Sequence, residues 1–228
     1  MAHDPELASD IPEGDVSHAG RPSTLGVLGA GRQALETCGY CAELGLAVVF
    51  LVEEVTPGYL RDPAPFAAPI LAFRDLTEVH LRVPVTSAVG SPNVRRRLIE
   101  RWGRPDFVTV VSARAWLAAD VEIGTGTTVA PLAAVNRHAR IGAHVLVNVG
   151  ALISHDVHVD NFVTVSPGCV IGGGVSVGAG AFLGLGSTIR DHVNIGSDAV
   201  VAAGAVVVAD VADGQTVMGV PARPRRGE

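Results

Sequence analysis

The 228-residue chain has no lysine: all 17 of its basic residues are arginine. Without a lysine amine there is no pyridoxal Schiff base and no Walker-type phosphate loop. Aromatic residues make up only 4% against 48% hydrophobic, so small aliphatic side chains must fill the interior. Three cysteines, at 38, 41 and 169, are too few and too unevenly placed for a disulfide framework, which points to a reducing cytoplasm. Positive charge is scarce too. The 17 arginines face 23 acidic residues, a net charge of −6, which argues against a nucleic-acid partner. No secretory leader opens the sequence. Residues 161–189 carry no charge over 29 positions, more than the roughly 20 that span a bilayer, but eight glycines among them argue against a membrane helix.

What is present divides the chain into four parts. Residues 1–23 are acidic, lack apolar periodicity and read as a disordered tail. Residues 24–111 read as a small Rossmann-like α/β domain. Its apolar strand runs into Gly29-Ala30-Gly31-Arg32-Gln33-Ala34, then a helix to about Leu44, then a second strand ending in Glu53-Glu54. This is a βαβ unit whose G-x-G-x-x-A turn suits a nucleotide and has an acidic pair about 20 residues on. Further strands are expected at 81–89 and 107–111, with a helix opened by Ser91-Pro92-Asn93 between them.

From Leu117 to Val207, stepping by six gives sixteen consecutive aliphatic residues. A second register four residues after each, from Val121 to Val211, holds small residues or valine. A period of six fits neither a helix nor a hairpin. It fits a three-sided prism in which each face is one short strand and three hexads close a coil. Residues 112–212 are thus read as a parallel β-helix and 213–228 as its cap and tail. About five coils at roughly 4.8 Å each make a rod of roughly 25 Å.

Gly29-Ala30-Gly31, Ala88-Val89-Gly90-Ser91-Pro92-Asn93, Asn136-Arg137-His138-Ala139-Arg140-Ile141-Gly142, Ile153-Ser154-His155-Asp156 and Met218-Gly219-Val220-Pro221-Ala222-Arg223 occur in this order. Together they resemble the PglD/NeuD-like sugar acyltransferases, over about residues 24–223. The resemblance implies an α/β nucleotide-sugar domain followed by a left-handed β-helix of hexapeptide repeats. It also implies N-acylation of a nucleotide-linked amino sugar by acyl-CoA, with acetyl-CoA as co-substrate, no metal and no resident cofactor. Three rods packed as a homotrimer would hold CoA in the clefts between neighbouring chains.

The same resemblance assigns residues. His155 is the base, since an imidazole titrating near neutrality can take a proton from an attacking amine. Asp156 and Asn148 orient it. The Gly173 amide stands near the thioester oxygen, with Thr164, Leu185, Ala203, Gly219 and Pro221 lining the rest of the acyl-CoA. Thr164 stands where family members carry a histidine. Gly29, Gly31, Arg32, Gln33, Glu53 and Glu54 bind the nucleotide sugar, although the family's Gly-Gly-His reads Gly-Arg-Gln here. One coil of 18 residues separates His138 from Asp156, making His138 a candidate second partner of that carboxylate.

Other readings stay open at this level. O-acetylation of a sialic acid or another sugar hydroxyl would use the same base. A non-catalytic nucleotide-sugar-binding protein would leave His155 idle. Cys38-Gly39-Tyr40-Cys41 has redox spacing, but it falls within the first helix, where two core cysteines are the simpler reading; Cys169 is read as packing. The arginine run 95–97 is read as a solvated helix face. A dinucleotide oxidoreductase lacks its second mononucleotide half, and a zinc anhydrase on the same coil fails because the coil neighbours of His155 are Arg137 and Gly173.

Overall fold

The computed structural model describes residues 22–53 and 67–225. Its first part is a four-stranded parallel sheet with strands β1 (Thr24–Leu28), β2 (Ala47–Glu53), β3 (Ile70–Ala72) and β4 (Val85–Ser87), in the order β3-β2-β1-β4. Helix α1 (Arg32–Glu43) follows β1, the short α2 (Glu78–Leu81) precedes β4, and α3 (Pro92–Trp102) follows it. Leu25, Val27, Leu28, Phe50, Leu51 and Val52 are buried along β1 and β2, as a parallel sheet covered on both faces requires. At Gly29 the chain turns from β1 into α1 with φ +115°, and a Cβ there would lie 2.8 Å from the Ala88 carbonyl oxygen. Only glycine fits that turn.

The strand expected over 81–89 is shorter, because Glu78–Leu81 is helical. The strand expected over 107–111 is divided: Phe107 bridges to Val85, whereas Val110–Val111 pairs with Thr128–Val129 as the first rung of the coil. The coil therefore begins before residue 112. The tail expected over 1–23 lies, up to residue 21, outside the described residues.

The coil is a three-sided parallel β-helix built of two-residue rungs. Face a starts at Val110–Val111, face b at Trp116–Leu117 and face c at Glu122–Ile123, and rungs pair with those 18 residues on, such as Leu152 with Val170 and Arg140 with His158. Every sixth residue from Ile123 to Val207 is at most 2% exposed and fills the axis. The second register, from Val121 to Val211, is buried with it. Between faces the backbone turns through one left-handed residue per hexad, a glycine at many corners but His138, His144, Asp156, Phe162 and His192 at others, with φ of 56 to 61°.

The spacing changes at the end. Val211 bridges to Ile195 and Thr216 pairs with Val200, sixteen residues apart rather than eighteen, so Val211 takes an axial place. Thr216–Met218 is thus still a rung of face a rather than part of a separate cap, and Arg223–Pro224 folds back antiparallel on it. Among the described residues, no helix is long and apolar enough to cross a membrane.

Helix α3 docks on the corner between faces c and a. Arg95 is 2% exposed there, and all five of its N–H groups donate to neutral oxygens: His144 O at 2.8 Å, Val89 O at 2.7 Å, Thr164 Oγ1 at 3.0 Å, Phe162 O at 2.6 Å and Val163 O at 3.0 Å. Arg95 is therefore not part of a solvated face. Burial, with Arg96 adding to it, lowers its guanidinium to about 10, still a cation at neutral pH. Arg96 lies over the Phe162 ring at 5.3 Å and reaches Asp198 at 3.4 Å.

Candidate active site

His155 stands in the turn between faces b and c. Its Nδ1 lies 2.7 Å from Asp156 Oδ2, the geometry of a ring held in one tautomer by a carboxylate. Hydrogen bonds from His155 and then His138 keep the Asp156 carboxyl below its ordinary value, so it is ionised at neutral pH. The opposite edge of the ring lies over Gly173, one coil on. A Cβ at Gly173 would come within 2.8 Å of Cε1 and 2.9 Å of Nε2, so only glycine leaves room for the imidazole. The Gly173 N–H takes no hydrogen-bond partner among the described residues. His138, as the one-coil spacing suggests, meets the other oxygen of Asp156 at 3.1 Å.

Two expected partners lie elsewhere. Asn148 is buried at the corner between faces a and b, where its Oδ1 accepts from the Val149 N–H at 2.8 Å and its Nδ2 donates to Gln33 Oε1 at 3.3 Å. It does not orient His155 within this chain, because the whole width of face b separates the two corners. Thr164 is 2% exposed, and its hydroxyl donates to the Gly90 carbonyl at 2.8 Å while accepting from Arg95. The docked first domain covers it, and it offers no surface to an acyl donor. Leu185 and Ala203 are exposed one coil apart on the corner shared with Asn148, and Gly219 and Pro221 are exposed beyond the last coil.

In the first domain Gly29, Gly31, Arg32, Gln33 and Glu53 line a cavity of about 460 Å³ together with Ala88, Val89, Gly90, Val94 and Leu98. Burial pushes the Glu53 carboxyl up. Glu54 lies outside the described residues. Sequence reading missed Val94 and Leu98, which enter the cavity because α3 docks beside it; their apolar helical spacing was visible, but its direction was not. The cysteines are free thiols: burial raises Cys38, and burial with Cys38 beside it pushes Cys41 up to about 12, so neither is a redox nucleophile at neutral pH. Among the described residues no group of three or more His, Cys, Asp or Glu could hold a metal ion.

A Rossmann-like sheet ahead of a left-handed hexapeptide-repeat β-helix, with a His-Asp pair exposed on a turn, is the build of the hexapeptide-repeat sugar acyltransferases, and the chain has that build. Solved structures similar to it over nearly its whole length make the class particular. PerB from Caulobacter crescentus, in complex with CoA and GDP-perosamine, is 27% identical, with 89% of this chain and 97% of that one covered and a TM-score of 0.79. The acetyltransferase domain of PglB from Neisseria gonorrhoeae, in complex with acetyl coenzyme A, is 28% identical over 90% and 100%, also with a TM-score of 0.79. WeeI from Acinetobacter baumannii is 25% identical over 89% and 100%, with a TM-score of 0.69. No protein-family model and no curated protein sequence matches the chain.

Proposed function

We propose that the protein is an acetyl-CoA-dependent N-acetyltransferase acting on a nucleotide-linked amino sugar. The observation that carries this reading is the His155-Asp156 pair, with Nδ1 tied to the carboxylate and Nε2 left open above Gly173. The sugar amine attacks the thioester carbonyl while His155 Nε2 takes its proton. Asp156 accepts from Nδ1 and stabilises the imidazolium that forms. The unpartnered Gly173 N–H donates to the oxyanion. Collapse of the tetrahedral intermediate breaks the C–S bond and forms the amide, and the CoA thiolate leaves and takes up the proton.

The nucleotide-sugar cavity of the chain adjoins Asn148, one face away from its own His155, so we place the complete site between copies in a homotrimer. Face b supports this. Its outward residues Trp116, Leu152 and Val170 are 55%, 40% and 38% exposed, whereas face c presents Glu122, Arg140 and Asn194. An exposed apolar strip of this kind marks an interface. Face b also lies between the corner bearing Leu185 and Ala203 and the corner bearing His155, so a copy seated on it closes a cleft from CoA contact to base. We place the reaction in the cytoplasm, in keeping with three free thiols.

The test is thiol release from acetyl-CoA with GDP-perosamine as acceptor, followed by mass spectrometry of the sugar product. Acetylation of the amine is expected, together with a light-scattering mass three times the 23.4 kDa chain. A fully active monomer would overturn the assembly, and no transfer to any nucleotide amino sugar would overturn the activity.

A further inference from the structure

The contacts of His155 do not stop at Asp156. Asp156 Oδ1 faces His138 Nδ1 at 3.1 Å, and the other ring nitrogen, Nε2, faces Asp120 Oδ2 at 3.2 Å. Arg137 Nε reaches the same Asp120 oxygen at 3.4 Å. Four side chains thus run in one line along the corner between faces b and c, from Asp120 through His138 and Asp156 to His155. Carboxylates only accept hydrogen bonds, so both His138 contacts are hydrogen bonds when the ring is protonated on both nitrogens, a cation between two anions.

Nothing in the coil's packing calls for a histidine here. The His138 side chain is 64% exposed, and its backbone stands at φ +59°, a left-handed corner that glycine, asparagine, aspartate and histidine all adopt. Gly174, two coils on in the same column, fills the equivalent place without strain. Asp156 is itself 57% exposed, so a single contact to His155 would leave its carboxylate free to rotate into water. The second contact, from His138, removes that freedom.

We propose that His138 is a positioning residue for this reaction: gripped by Asp120, it fixes the Asp156 carboxylate and, through it, the tautomer and orientation of His155. The proposal rests on the reading of His155 as the base. His138 does not touch the substrate, and its effect passes through Asp156.

The test uses the full chain with His138→Asn and His138→Gly, both of which accept the left-handed backbone and retain the fold. Ring ¹⁵N shifts of His155, recorded without substrate, are expected to show a proton on Nδ1 and none on Nε2 in the parent chain, and a mixture of tautomers in both variants. With acetyl-CoA and GDP-perosamine, kcat is expected to fall about tenfold while both KM values stay within about twofold. Asp120→Asn is expected to give a smaller fall, about threefold, that adds nothing in the His138→Asn background, as for residues acting through one path. An unchanged His155 tautomer in the His138 variants, or a rise in KM with kcat unchanged, overturns the proposal. A parent chain that transfers no acetyl group counts against the acyl-transfer reading, while the tautomer comparison still decides His138.

Discussion

Two corners of the coil repeat the same six-residue unit and place a histidine at the same backbone position, His138 with φ +59° and His144 with φ +56°. On the corner between faces b and c, His138 stays in solvent and meets carboxylates at both ring nitrogens. On the corner between faces c and a, His144 lies beneath the first domain. It is 9% exposed, stacks on Phe162 at 5.2 Å, meets the Phe107 ring edge-on at 4.6 Å, and its Nδ1 has no hydrogen-bond partner among the described residues. Burial, with the nearby Arg95 cation adding to it, lowers His144 to about 4. The repeat decides where a side chain starts, and the covering decides what it can do. An uncovered corner leaves its ring nitrogens open to partners and solvent, and a covered one becomes a joint.

The strongest way to break this contrast is to empty the uncovered corner. His155→Ala is expected to lower kcat/KM by about 10² to 10⁴-fold, the usual worth of a general base, with a nearly unchanged melting temperature because the side chain is 64% exposed. Turnover at the parent rate would show that the corner is inert. Arg95→Met should do the reverse at the covered corner. It leaves the Phe162, Val89 and His144 carbonyls without their donor, while the Val163 carbonyl keeps the Leu146 N–H, at a cost of about 2–4 kcal/mol in urea unfolding. The folded fraction should keep its kcat while KM for the nucleotide sugar rises, since Val89 and Gly90 floor the cavity.

Gly173→Ala sharpens the comparison. The added methyl would press on the exposed His155 ring, which can swing aside, so stability should barely change while kcat drops about tenfold by the loss of a placed base. Equal loss of stability and rate would mean that the ring is locked more firmly than its exposure suggests. The smallest effect is in pH. A histidine whose folded value lies below its unfolded one stabilises the fold fully above about 6.5, and that contribution is lost as pH falls toward about 4. Unfolding free energy should therefore slope downward across this window by at most one proton's worth, and His144→Asn should flatten it. The Asp156 carboxyl acts in the same sense only below its unfolded value of 3.8, so the two corners separate along the pH axis.

The coil was legible in the sequence because every axial residue answers to one repeating backbone, and the small register was legible for the same reason. The pairing of His138 with Asp156 followed from the 18-residue coil. Asp120 was missed, although it lies one further coil back from His138. Within the chain Asn148 and Thr164 lie apart from His155, because a resemblance carried along a coil names the corner or face but not what lies on it. One looks toward Gln33 and the other is sealed under Gly90, both consequences of how α3 and the first domain dock. Arg95 misled for a related reason: three arginines in a row look like a wetted surface until the helix is laid on carbonyls that need donors.

The sixteen-residue last coil also bears on how copies of the chain meet. A β-helix ends in a ring of unpaired amides and carbonyls, a surface on which another rod could continue the same ladder and grow into a fibre. Here the final rung of face a is met by Arg223–Pro224 running the opposite way, and Pro224 has no N–H to offer a successor. With the ladder's direction reversed and its next donor missing, the end of face a is a stop rather than a template for another rod.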